Sequence, residues 1–137
     1  MEMMMPNKIL IVEDNINLGT SLCEYLESKN YLIVWKQTAR AAHESFIHFK
    51  PDIVLMDIGL PDETGLELAA KLRQLRKDFV LFFLSAQTEP EVRLEGLELG
   101  AHDYITKPFD LRELTLRLDR ILSSRAQGQS MPDEIFF

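Results

Sequence analysis

Apolar residues come along this chain in short bursts, and each burst is followed by a stretch of helical spacing. Lys8–Val12 (KILIV), Tyr31–Trp35 (YLIVW), Ile53–Asp57 (IVLMD), Phe79–Leu84 (FVLFFL) and Asp103–Thr106 (DYIT) are short and rich in β-branched or aromatic residues, which predicts five strands. Between them, Leu18, Leu22, Tyr25 and Leu26 recur at steps of three and four, one face of a helix. Ala39–Phe49 reads as a helix capped by Thr38, and Leu66, Leu68, Ala69 and Leu72 mark a third. Glu89–Leu99 reads as a helix that carries Val92, Leu94, Leu97 and Leu99 and stops at Gly100, a residue suited to the left-handed position after a helix. Leu111, Leu114, Leu118, Ile121 and Leu122 form the strongest stripe, a fifth helix.

Strict alternation of strand and helix predicts an α/β fold, doubly wound, with a parallel five-stranded sheet covered by helices on both faces. Phe79–Leu84 is apolar on both faces, as a central strand of such a sheet requires. The expected organisation is a disordered N-terminus over residues 1–7, one domain over 8–124 and a linker over 125–137. The linker expectation rests on the change after Ser123, where SSRAQGQSMPDE is polar with Gly and Pro.

The 137 residues suit one domain. A net charge of −7 argues against direct binding of nucleic acid, which wants a basic stripe. It fits carboxylates gathered around a cation. The single cysteine, Cys23, excludes an internal disulfide and reads as a small core residue. No apolar stretch approaches a membrane span and the N-terminus lacks a secretory pattern, so the expected compartment is the reduced cytoplasm with no membrane partner.

In parallel sheets of this kind, functional groups gather at the carboxyl ends of the strands. Here those ends carry Glu13 and Asp14, then Asp57, then Ser85, then Thr106, Lys107 and Pro108. Singly, Glu13-Asp14-Asn15 would serve as a helix start, Asp57 as a turn residue, Ser85 as a cap and Lys107 as a solvated lysine. Together they put carboxylates, a hydroxyl and an ammonium on one rim. Crowded carboxylates repel unless a cation holds them, and a hard divalent ion such as Mg²⁺ suits oxygen ligands. Mg²⁺ on Glu13 and Asp14, with Ser85 and Lys107 on the oxygens of a phosphoryl group, would leave Asp57 as the nucleophile. Rival chemistries fit less well. A nucleotide-binding G-x-x-x-x-G-K-[ST] loop is absent, the loop after the first strand is Glu-Asp-Asn rather than glycine-rich, and an aspartyl phosphatase would want an acid at Gly59.

ILIVEDN, DIVLMDIGLPDETG, FLSA and GAHDYITKPFDLREL together resemble the receiver domain of two-component response regulators, over roughly Lys8 to Ser123. The resemblance implies strand order 2-1-3-4-5, a flavodoxin-like sheet. It implies that Asp57 accepts a phosphoryl group from the phosphohistidine of a sensor histidine kinase. Asp14 and Asp57 would bind Mg²⁺, with Glu13 acting mostly through water and Gly59 through its backbone carbonyl. Ser85 and Lys107 would contact the phosphoryl group, Pro108 would follow a cis peptide, and Tyr104 would be the aromatic switch residue. Gly59 and Gln87 would influence how long the phosphoryl group lasts. The protein would then be a signalling phosphoacceptor that assists its own phosphorylation and dephosphorylation, not an enzyme acting on others.

KPFDLRELTLRLDRIL resembles the OmpR/PhoB-type transcription factors, which implies DNA binding through a further domain absent from this chain. The alternative is a stand-alone or unphosphorylated receiver acting by protein contacts. A homodimer through the fourth helix, fifth strand and fifth helix would be the family's mode of switching. His102, where the family often has an acid, makes that symmetric pairing less secure and reads as a surface histidine. His43 and His48, five apart, make no helical metal pair, and Trp35 reads as a packing residue.

Overall fold

A computed structural model describes residues 7–87 and 89–128. The expectation of a disordered start therefore falls, over residues 1–6, outside the described residues, as does the linker expectation over 129–137. Among the described residues, five strands and five helices alternate: β1 (Lys8–Val12), α1 (Ile16–Ser28), β2 (Leu32–Lys36), α2 (Ala39–Phe49), β3 (Ile53–Asp57), α3 (Gly65–Leu75), β4 (Val80–Ser85), α4 (Pro90–Glu98), β5 (Asp103–Thr106) and α5 (Leu111–Gly128). The strands pair in parallel in the order β2-β1-β3-β4-β5. The fold class and strand order are those expected.

The pleat divides the apolar residues between two cores. Leu10, Val12, Val54, Met56, Leu81 and Phe83 pack under α2, α3 and α4. Ile9, Ile11, Ile53, Leu55, Phe82 and Leu84 pack on the other face, with Leu22 and Leu26 of α1 and Leu114 and Leu118 of α5. Strands β1, β3 and β4 are almost wholly buried, whereas β2 lies at a sheet edge and is half-buried.

Local chemistry sets where the helices begin and end. Asn15 Oδ1 accepts from Leu18 N–H at 2.9 Å and opens α1, and Thr38 Oγ1 accepts from Ala41 N–H at 3.1 Å to open α2. Thr64 and Glu67 form a reciprocal capping box on α3. Gly100 follows α4 with φ +83°, the left-handed conformation expected of it.

Some boundaries differ from the expected ones. Strands β2 and β4 each sit one residue later than their apolar runs, because pairing rather than composition sets their ends. Lys36 O accepts from Glu13 N–H at 3.0 Å, and Ser85 pairs with Thr106. Helix α4 turns only part of its apolar content inward. Val92 and Leu99 pack on the core, but Leu94 and Leu97 are 58% and 63% exposed. Helix α5 passes the composition change at Ser123 and runs to Gly128, so residues 125–128 are helical.

Candidate functional site

The carboxyl ends of β1, β3, β4 and β5 lie on one rim, and the sequence-predicted groups meet there. Glu13 directly follows β1 and is fully buried. Asp57 closes β3 and is 7% exposed, and Ser85 closes β4 and is buried. Asp14 stays exposed. One carboxylate oxygen each from Glu13, Asp14 and Asp57 lie within 4.8 Å of one another. Lys107, just after β5, reaches back with its Nζ and donates to Glu13 Oε1 at 2.8 Å and to Asp57 Oδ2 at 2.9 Å.

Backbone contacts hold these groups in place. Gly59 N–H donates to Asp57 Oδ1 at 3.1 Å, and Asn15 N–H donates to Glu13 Oε2 at 3.0 Å. Lys107 N–H donates to Ser85 O at 2.9 Å, and the Lys107–Pro108 peptide is cis. The turn after Asp57 folds tightly, since Leu60 and Gly65 both donate to Ile58 O, at 3.0 and 2.8 Å. Only glycine suits position 65, because an added Cβ would lie 2.3 Å from Asp57 O. Further along the turn, Asp62 accepts from the N–H groups of Ala39 and Arg40, both at 2.9 Å, tying this loop to α2. Those hydrogen bonds hold the Asp62 carboxyl below its ordinary value.

The β4–α4 side carries a second cluster. Ser85 Oγ accepts from Gln87 N–H at 3.1 Å, and the Tyr104 hydroxyl donates to Gln87 O. Gln87 thus enters through its backbone. The Arg93 guanidinium of α4 lies 4.5 Å from the Tyr104 ring centroid and donates to Thr106 Oγ1 at 3.3 Å. Burial pushes the Tyr104 hydroxyl up, against the pull of Ser85 and Arg93.

The rim is short of positive charge. Burial raises the Glu13 carboxyl above its ordinary range, and hydrogen bonds from Lys107 and Asn15 offset this only in part. Burial works against the charged Lys107, yet its hydrogen bonds to Glu13 and Asp57 raise it. Within one ion pair, then, the acid is pushed toward its neutral form and the base is held in its charged form. Burial drives the first, because Glu13 is sealed from water and shares its one cation, and hydrogen bonds to two acids drive the second. Among the described residues three carboxylates share one ammonium here, so with all three ionised the rim carries an excess of negative charge. Oxygen donors with that deficit fit a hard divalent cation such as Mg²⁺.

Sequence reasoning missed three participants. Asn15 contributes its backbone to Glu13, Trp35 donates its indole N–H to Glu13 O at 2.8 Å, and Arg93 covers Tyr104. Trp35 lies 22 positions from Glu13, so only the pairing of β1 with β2 brings them together.

Comparison with known proteins agrees with this architecture. The family model described as the response regulator receiver domain matches residues 9–119. The transcriptional regulatory protein RprY of Bacteroides fragilis is 40% identical over 122 residues, 89% of this chain and 51% of that protein. The phosphate regulon transcriptional regulatory protein PhoB of Pseudomonas aeruginosa is 37% identical over 129 residues, 93% of this chain and 56% of that protein. The chain thus spans about half the length of these curated relatives. Among solved structures, the non-phosphorylated HemR receiver domain from Leptospira biflexa superposes with TM-score 0.82 at 38% identity, covering 94% of this chain and 99% of that one. A CheY-like receiver domain protein from Methanospirillum hungatei superposes with TM-score 0.86 at 28% identity, covering 90% and 98%. By sequence match and by fold, this chain belongs to the response regulator receiver domain family.

Proposed function

We propose that this chain is the phosphoacceptor of a two-component response regulator, working in the cytoplasm with a sensor histidine kinase. Asp57 takes the phosphoryl group. Its carboxylate oxygen forms the new bond to phosphorus, the bond from phosphorus to the kinase's histidine nitrogen breaks, and the imidazole leaves and takes up a proton. The observation that carries this reading is the convergence of Asp57 with Glu13, Asp14 and Lys107 on one rim.

Glu13, Asp14, Asp57 and the Gly59 carbonyl would hold Mg²⁺, which when bound offsets charge on the phosphoryl oxygens. Lys107 already contacts Asp57 and is placed to pair with a phosphoryl oxygen. Ser85 offers a hydroxyl from the neighbouring strand end, and Gly59 and Gln87 flank the path of water that ends the phosphorylated state. The site assists its own phosphorylation and dephosphorylation and acts on no other substrate.

The switch runs through Ser85 and Tyr104 to the surface of α4, β5 and α5. Tyr104 already touches the loop that follows Ser85, through Gln87 O. A phosphoryl group at Asp57 adds charge and acceptors that draw Ser85 toward the rim. Leu94 and Leu97 stand exposed on α4, an apolar surface for a second copy of the chain. Relatives twice as long and named as transcriptional regulators support an output through a DNA-binding domain outside this chain.

The test is the intact mass after incubation with Mg²⁺ and acetyl phosphate, beside Asp57→Ala. The expected result is a gain of one phosphoryl group that needs both Mg²⁺ and Asp57. No gain in the folded protein would turn the reading to an unphosphorylated receiver that works by protein contacts.

A further inference from the structure

Trp35 is the chain's one tryptophan, and the phosphoryl chemistry makes no use of it. Its indole N–H donates to Glu13 O at 2.8 Å. The main-chain N–H of Glu13 donates in turn to Lys36 O at 3.0 Å. Two consecutive residues of β2 therefore hold both main-chain groups of Glu13. A peptide unit is planar, so fixing the Glu13 oxygen fixes the plane from which Asp14 departs. Asp14 is exposed, and its carboxylate takes its place from that main chain.

The indole ring has its own seat. It lies against α1 at Gly19, where an added Cβ would fall 2.0 Å from Trp35 Cζ2 and 2.2 Å from Cε2. Glycine inside a helix is unfavourable on its own. Here its bare backbone makes room for the ring. Gly19 belongs to the helix that Asn15 opens, and Gly19 N–H donates to Asn15 O at 2.9 Å. The Glu13-Asp14-Asn15 turn is thus gripped from β2 through Trp35 and from α1 through Gly19.

We propose that Trp35 is a positioning residue for metal binding: its indole N–H sets the Glu13–Asp14 peptide so that both carboxylates are presented together to a divalent cation. This inference rests on the metal-dependent reading of the rim. Trp35→Phe keeps an aromatic ring at this position and deletes the N–H. Gly19→Ala keeps the N–H and denies the ring its seat. Each is compared with the unaltered protein by calorimetric titration with Mg²⁺, by urea denaturation without Mg²⁺, and by the initial rate of phosphoryl gain from acetyl phosphate across Mg²⁺ concentrations.

Trp35→Phe is expected to raise the Kd for Mg²⁺ about three- to tenfold, the size of one lost hydrogen bond. The Mg²⁺ concentration for half-maximal rate rises by the same factor, while the rate at saturating Mg²⁺ is unchanged. Gly19→Ala shifts Kd in the same direction. In the unaltered protein, exchange of the Trp35 indole proton slows when Mg²⁺ is added. If the unaltered protein binds Mg²⁺ and Trp35→Phe binds it equally well, whatever its urea midpoint, Trp35 only packs and the inference is overturned with the site reading intact. An indole proton that exchanges equally fast with and without Mg²⁺ overturns it as well. An unaltered protein that neither binds Mg²⁺ nor gains a phosphoryl group overturns both readings.

Discussion

One ammonium serves two carboxylates in this site, and that sharing makes Lys107 the most exacting residue of the rim. Its removal leaves Glu13 sealed from water with the Asn15 N–H still on Oε2. Lys107→Met is expected to cost about 1–3 kcal/mol at neutral pH, the usual penalty for a buried charged group left short of partners. The sign of its pH dependence follows from Glu13. Burial already raises that carboxyl, and losing the lysine raises it further, so the folded variant binds a proton more tightly than the unfolded chain. The deficit should shrink as pH falls from 7 toward the ordinary glutamate range, about 4.3. Adding Glu13→Gln to Lys107→Met should recover most of the loss. Urea midpoints of the four proteins of that cycle check it, and a double variant no more stable than the single one would refute it. His102 offers a second titration, away from the rim. It is exposed as a residue, yet its ring turns Nδ1 to accept from Leu81 N–H at 3.2 Å. Burial, then Arg125 of α5 and Arg73 of α3, push its pKa below the ordinary 6.5. A base with a lowered folded pKa lends stability that is present above its unfolded pKa and lost as pH falls through that value. Stability should therefore drop as pH goes below about 6.5. His102→Asn, which keeps an acceptor in the Nδ1 position, should flatten that part of the profile. The sequence marked His102 as a surface residue, and a solvent-facing pattern could not reveal that one ring nitrogen belongs to the sheet.

At the scale of elements, the proposed phosphoryl site depends on how closely α3 starts behind β3. Gly65 N–H donates to Ile58 O at 2.8 Å, and an added Cβ would meet Asp57 O at 2.3 Å and Ile58 Cα at 2.9 Å. Both obstacles are backbone and cannot swing aside. Gly65→Ala should destabilise the fold by about 1–3 kcal/mol, as overpacking does, and displace Asp57 from Lys107. Denaturation reads the first effect, and a slowed phosphoryl gain in the protein that remains folded reads the second. A variant with unaltered stability and rate would mean that α3 shifts freely. Such contacts explain what could be read from the chain. The apolar runs gave the strands, and the caps at Thr38 and Gly100 were visible because capping is local chemistry. Strand ends were off by one at β2 and β4 because pairing partners, distant in sequence, decide them. The exposure of Leu94 and Leu97 on α4 was hidden for a related reason, since that helix has apolar content without an apolar stripe.

For the molecule as a whole, alternation along each strand separates two cores, and the sheet between them carries the acids to one edge. That logic was legible because it needs only the order of elements and the shared direction of parallel strands. The edge is costly in the absence of a cation. With all three acids ionised it would hold two more negative than positive charges, in a chain whose net charge is −7. Unfolding separates Asp57 from the adjacent pair Glu13 and Asp14, which only the pairing of β1 with β3 brings together, so Mg²⁺ should bind the folded chain and hardly bind the unfolded one. Folding stability should then rise with Mg²⁺ as mass action requires, by about 2.7 kcal/mol at a hundred times Kd. Asp14→Asn is the informative comparison, because Asp14 is exposed and its change leaves the Lys107 pairings intact. Without Mg²⁺ this variant should equal or exceed the original in stability, since a repelling charge is gone. With Mg²⁺ most of its gain should vanish. Sodium chloride at matched ionic strength separates specific binding from screening, which weakens all exposed charge repulsion alike. If Mg²⁺ stabilises the Asp14→Asn variant as much as the original, or if salt alone reproduces the rise, the three acids do not act together as a cation site.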